Sequence, residues 1–197
     1  MPKVVDHEER RAELAAAVWR LASRDGLEAV TVRRVAAEAG WSTGAVVHYF
    51  ADKEDLLQFA FSTVADRVRT RLAEATEHTT EPLKLARVWL IEGLPIGKER
   101  QAEVRVWFAF LGLALTRPAF ARAQRLTYRA WRGRVADLLR EAQERGDIRA
   151  DVDPSAAAAA LVALVDGLSI QATFEPRAVN AKRQTELVDS QLDALRA

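Results

Sequence analysis

The residues whose types and spacing suit chemistry lie between positions 31 and 53. A short helix is predicted from about Thr43 to Phe50. It places Val46 and Phe50, four apart, on one face and Thr43, Gly44, Val47 and His48 on the other. The second face is short, uncharged and moderately polar, which suits entry of the helix's N-terminal half into a DNA major groove. Gly44 admits close backbone approach. Val47 can touch a thymine methyl group, and His48 can donate to a base or a phosphate. Tyr49 and Lys53 follow where backbone phosphates would run, and Lys53 stands at a helix N-terminus, which favours anions. Thr31 and Arg33 open the preceding helix and can hold a further phosphate. Enzymatic chemistry has little to build on. The histidines are His7, His48 and His78, none with a ligand-spaced partner, and there is no cysteine. Nucleophile-elbow, P-loop and dinucleotide fingerprints are missing. No catalytic residue, metal ligand or cofactor is expected.

The elements that must position these residues are helices. Thr31 can cap one, with Val30 and Val35 as a hydrophobic staple; Ser42 can cap the next, with Trp41 and Val46 as its staple. Asp52 can cap a third, with Glu54 and Asp55 in its first turn. Gly40 falls in the turn between the first two, the outline of a helix-turn-helix. Further apolar stripes follow helical spacing: Leu14, Val18, Leu21 and Ala22; Leu57, Phe61, Val64, Val68 and Leu72; Val104, Trp107, Phe108, Leu111 and Leu115; Tyr128, Trp131, Val135, Leu138 and Ala142; Leu161, Leu164, Val165, Leu168 and Ala172; and Val188, Leu192 and Leu195. Breaks are predicted at Gly26, Pro82, Gly93 with Pro95, Pro118, Gly146, Asp153-Pro154 and Pro176. The fold class expected is all-α, with about nine helices, two of them very short, and no strand.

Bulk properties narrow the reading less. The chain has 197 residues, of which 49% are hydrophobic, enough for a substantial core. The N-terminal stretch Met1–Glu13 is charged, so no export signal is read there. The longest uninterrupted apolar runs, Val106–Leu115 and Ala156–Val165, are too short to span a bilayer. A cytoplasmic protein without a membrane partner is expected. Residues 1–50 carry seven Lys/Arg and seven Asp/Glu, and the strongest basic excess lies at 117–149, with nine Arg against four acids. Charge alone therefore does not nominate the N-terminus as a DNA site. A helical interaction protein without DNA binding remains open on these grounds.

One resemblance bears on that choice. Thr31-Val32-Arg33-Arg34-Val35-Ala36, Ala39-Gly40-Trp41-Ser42, His48-Tyr49-Phe50 and Lys53-Glu54-Asp55-Leu56-Leu57 together resemble the DNA-binding signature of the TetR family of repressors. Thr43, Gly44, His48, Tyr49 and Lys53 match positions that commonly contact DNA in that family. Val47 stands where many members carry an aromatic residue, and Trp41 where a smaller aliphatic one is usual. The resemblance implies a helix-turn-helix DNA-binding domain at 1–52 and an effector-binding and dimerisation domain at 53–197. It also implies a ligand-responsive regulator that binds a palindromic double-stranded operator as a homodimer. The stretch 105–110 is similar to the branch that includes the choline-responsive repressor of betaine synthesis.

Aromatic side chains concentrate in the C-terminal part. Trp89, Trp107, Phe108, Phe110, Tyr128 and Trp131 are the candidate walls of a site for a small apolar or cationic effector. Two recognition helices must sit about 34–36 Å apart to read adjacent major grooves, a spacing that a two-fold dimer supplies. The last two helices are the candidate interface. Leu161, Leu164, Val165 and Leu168, with Leu187, Val188, Leu192 and Leu195, are expected to form a four-helix bundle across the axis.

Overall fold

The structure, a computed structural model, describes residues 7–197, with side chains from residue 9. Met1–Asp6 of the charged N-terminal stretch, and the His7 side chain, lie outside the described residues. Among the described residues nine α-helices follow one another: α1 His7–Asp25, α2 Val32–Ala39, α3 Thr43–Val47, α4 Lys53–Thr76, α5 Pro82–Glu92, α6 Lys98–Thr116, α7 Pro118–Glu144, α8 Pro154–Phe174 and α9 Ala181–Asp193. A 3₁₀ turn covers Leu27–Ala29. The described residues contain no strand, only an isolated antiparallel bridge between Ile148 and Arg196.

The chain forms two compact units. The first comprises the chain up to Arg67 together with Arg105–Phe120; the second comprises Val68–Val104 and Ala121–Ala197. In the first, Leu14, Val18 and Leu21 of α1 bury their stripe in a core that also holds Val30, Val35, Val46, Leu56 and Leu57. Phe110 and Phe120 complete it: Phe110 stacks on Phe61 with ring centroids 3.7 Å apart and meets Phe120 edge-on at 5.1 Å. In the second unit, α5, α7, α8 and α9 share one core built on Leu90, Leu94, Val135, Leu138, Leu139, Leu161, Val165 and Val188. Arg71 is tied there by Nε to Glu92 at 2.7 Å and by Nη1 to Glu103 at 2.8 Å. The two carboxylates hold its guanidinium firmly protonated, with the Glu103 hydrogen bond the larger influence.

Most punctuation falls where the residues place it. Asp153 caps α8 by accepting from the Ser155 and Ala156 amides at 2.8 and 3.3 Å, and Pro154 takes the first helical position. Gly93 ends α5 for a reason that periodicity cannot reveal. Its φ of −73° suits any residue. A Cβ there, however, would lie 2.9 Å from the Trp131 ring and from Val165 Cγ1.

Four expectations need correction. First, α3 is shorter than predicted and stops at Val47, because Tyr49 N–H bonds to Val46 C=O in a tight turn instead of continuing the α ladder. Second, the expected stripe of α6 holds only in part. Val104 is buried, but so are Val106 and Phe110 outside the stripe, whereas Leu115 is 88% exposed; residues 106–115 are apolar on every side, so periodicity could not choose a face. Third, α8 is, by length and composition, apolar enough to cross a membrane. The uninterrupted run ends at Asp166, but apolar residues beyond that single acid extend it. The helix instead buries Leu161, Val162, Val165, Leu168 and Ala172 in the core of its own unit. Fourth, the stripes assigned to a dimer interface are largely spent within the chain. Leu161, Val165, Leu168, Val188 and Leu192 are buried, and Leu164, Leu187 and Leu195 pack against the same core.

Candidate nucleic-acid interface and effector residues

The recognition segment is built by three caps. Thr31 Oγ1 accepts from Arg34 N–H at 3.3 Å and starts α2. Gly40 ends α2 with φ 72°, a left-handed conformation that costs glycine least, and Trp41 N–H then returns to Ala36 C=O at 2.8 Å. Ser42 Oγ accepts from Ala45 N–H at 3.2 Å and starts α3. Asp52 Oδ1 accepts from Asp55 N–H at 2.9 Å, and Asp55 Oδ2 accepts from Ala51 N–H at 3.0 Å, which sets the start of α4. These bonds orient α3 before any partner arrives.

The faces of α3 divide as its residues require. Val46 and Phe50 are buried in the first unit's core. Ser42, Thr43, Gly44 and His48 are exposed, and Val47 is 54% exposed. Nothing lies closer than 4.0 Å to a Cβ placed at Gly44, so its outer side is open. Arg33 and Lys53 are exposed on either side in sequence, and Thr31 and Tyr49 are half-buried. The Tyr49 ring packs on Trp41, with centroids 5.7 Å apart.

The even charge balance of residues 1–50 does not say which of its cations are paired. Arg20 and Arg24 bond to Glu38 at 2.8 and 3.1 Å; Arg24 also bonds to Asp25 at 3.1 Å, and Arg34 pairs with Asp25. The hydrogen bond from Arg20 is the main influence holding Glu38 below the usual carboxylate range, and that from Arg24 does the same for Asp25. Two acids therefore occupy three arginines. Among the described residues Arg10, Arg11, Arg33 and Lys53 form no ion pair. No linear count could have separated the occupied from the available cations, because the pairing joins α1 to α2.

The six aromatic effector candidates do not share one environment. Phe110 is fully buried in the stack with Phe61 and Phe120. Trp107 and Phe108, half-buried, lie beside each other at 5.2 Å in the first unit. Trp89, Tyr128 and Trp131 are half-buried in the second and border its core. Tyr128 Oη donates to Asp166 Oδ2 at 2.7 Å, and the Arg132 guanidinium lies 5.5 Å from the Tyr128 ring centroid. Burial pushes both the Tyr128 hydroxyl and the Asp166 carboxyl up from their ordinary values; for Asp166 the Tyr128 hydrogen bond opposes that effect. Sequence reasoning passed over Asp166. Its signal was a lone acid in an otherwise apolar helical run.

The caps, the exposed α3 face and the all-helical architecture define a helix-turn-helix regulator. Residues 14–59 match the model of bacterial regulatory proteins of the tetR family, and residues 82–197 match that of the BetI-type transcriptional repressor C-terminal domain. The chain belongs to the TetR family of transcriptional regulators, whose members are not enzymes. It is 32% identical to the HTH-type transcriptional regulator PksA of Bacillus subtilis, over 99% of this chain and 94% of that one. Among solved structures it resembles a transcriptional regulator from Rhodococcus sp., with a TM-score of 0.79 and 31% identity over 94% of this chain and 95% of that one. A regulator from Saccharomonospora viridis, solved in complex with choline, shares the fold with a TM-score of 0.81 and 23% identity over 93% of this chain and 95% of that one.

Proposed function

We propose that the protein is a repressor that binds a palindromic operator as a homodimer in the cytoplasm and is released by a small organic effector. Residues 1–52 carry DNA binding, and 53–197 carry effector binding and dimerisation. The observation that carries the reading is the α3 face: Thr43, Gly44, Val47 and His48 exposed, with Val46 and Phe50 anchoring the opposite side. Val47 meets a thymine methyl, His48 a base or phosphate, and Thr31, Arg33, Ser42, Tyr49 and Lys53 the phosphates.

The effector is a cation in this reading. Asp166 is a half-buried acid that accepts from the neutral Tyr128 hydroxyl, and it forms no ion pair among the described residues. With Tyr128, Trp131 and Trp89 in the same unit, an organic cation gains both charge and ring-face attraction. The choline held by the Saccharomonospora protein agrees with that chemistry. The continuous helix α4 has Leu56, Leu57 and Ala60 buried in the first unit and Arg71 tied to Glu92 and Glu103 in the second. Effector binding that shifts α5–α8 draws on Arg71, so the effector favours an α4 position at which two recognition helices no longer fit one operator.

Dimerisation uses the outer face of α8. Ala156, Ala160, Ala163, Ile170 and Phe174 are exposed, and the last two keep 47% and 79% of their surface. Their three-and-four spacing is that of a helix-packing seam.

Fluorescence anisotropy with DNA flanking the protein's own gene, at two salt concentrations, tests the reading. Tight, salt-sensitive binding that a Lys53→Ala, His48→Ala variant loses is expected. Binding no tighter than to random DNA, repeated in a genome-fragment selection, would refute it.

A further inference from the structure

We infer that Trp41 holds Arg10 as a DNA-phosphate contact beside the recognition helix, an inference that rests on the DNA-binding reading above. The Arg10 guanidinium carbon lies 5.4 Å from the centroid of the Trp41 ring. Trp41 in turn packs on Tyr49 at 5.7 Å, with the two rings inclined at 57°. Trp41 immediately precedes Ser42, the cap of α3, and Tyr49 lies two residues beyond its last helical residue. The ring pair thus brackets the recognition helix, and Arg10, near the start of α1, is brought to it through space by the Trp41 ring.

Three features make this cation suited to a phosphate. It is exposed and forms no ion pair among the described residues, unlike Arg20, Arg24 and Arg34, which Glu38 and Asp25 occupy. Stacking uses the flat face of a guanidinium and leaves its edge, with the N–H donors, free for a bidentate bond to phosphate oxygens. A Trp face is also the best aromatic partner for a cation, so it confines a side chain that would otherwise sample many rotamers. Arg11, next in the chain, stacks instead on Phe59 at 5.6 Å. Trp41 is accordingly a positioning residue: the ring sets where the Arg10 charge stands.

A phosphate contact is independent of base sequence, so a random duplex at low salt serves as the probe. Each phosphate neutralised contributes about 0.9 to the slope of log K against log salt. With one Arg10 in each protomer of the bound dimer, Arg10→Ala is expected to lower the slope by about 1.8 and to weaken binding about 60-fold at 0.1 M salt. Trp41→Leu should lose much of the same increment, Arg10→Lys should keep the slope, and Trp41→Phe should keep most of it. The double variant should lose no more than Arg10→Ala alone. An unchanged slope in Arg10→Ala, a surface substitution that leaves the fold intact, overturns the inference while wild-type binding preserves the DNA-binding reading. Additive losses from the Arg10 and Trp41 changes overturn the role of Trp41. A wild-type protein that binds no duplex at any salt concentration sinks both readings together.

Discussion

Replacing Gly93 by alanine should destabilise the protein through a collision inside the second unit. The new Cβ would lie 2.9 Å from Trp131 Cζ2 and Cη2 and from Val165 Cγ1. Carbon atoms in contact normally sit about 3.5–4.0 Å apart, so three atoms must each retreat by roughly 0.6–1 Å. Trp131 is half-buried and has some room, but Val165 is buried in the core and has none. Overpacking of this kind costs about 1–3 kcal/mol. The backbone itself raises no objection at φ −73°, and alanine recovers about 0.4–1 kcal/mol by stiffening the unfolded chain. The net expected loss is about 1–2 kcal/mol. For a chain of this size that lowers the melting temperature by roughly 2–8 °C. Calorimetry at one fixed protein concentration measures it, since the proposed dimerisation would make the transition concentration-dependent. In a Val165→Ala background one wall is gone, and the cost of the same glycine change should drop by about half or more. A Gly93→Ala protein as stable as the parent, or more stable, would refute the proposed packing of α5 against α7 and α8.

Other expectations can be checked with the same protein. Ser42→Ala removes the α3 cap and should cost about 1 kcal/mol, read by thermal melts, with a matching loss of DNA affinity. Phe110→Ala empties the centre of the first unit's aromatic stack and should cost about 3–5 kcal/mol in denaturant unfolding. Burial raises the Asp166 carboxyl above the ordinary aspartate value of 3.8, so its ionisation opposes folding. Stability from this group is full below that value and is lost as pH rises through the raised one. Asp166→Asn should therefore gain stability relative to the parent as pH climbs above about 4, then level off; a pH-independent difference would contradict the assigned cause. On the outer face of α8, Ala163→Glu should shift sedimentation from dimer to monomer, and a variant that stays dimeric would move the interface elsewhere.

The recognition segment was legible in the sequence because its determinants are local. Thr31, Gly40, Ser42 and Asp52 act on amides a few residues away, and Val46 within α3 and Phe50 just beyond it are the apolar side chains there that a core can take. The same is true of Asp153-Pro154 at the start of α8. What the tertiary structure decided is what depends on distant partners. Glu38 and Asp25 pair with three arginines, while Arg10 forms no ion pair among the described residues, a distinction invisible to a count. Phe110 reads as a pocket wall until Phe61 and Phe120 close on it. The leucines of α8 and α9 fit an intersubunit seam and an internal core equally well by spacing; only the positions of α5 and α7 show that the core claims them and leaves Ala156, Ala160 and Ala163 outside. Helical periodicity reports that a face is buried but not against what, because burial of apolar surface is non-directional. Caps and turns, in contrast, are set by hydrogen bonds that reach only along the chain.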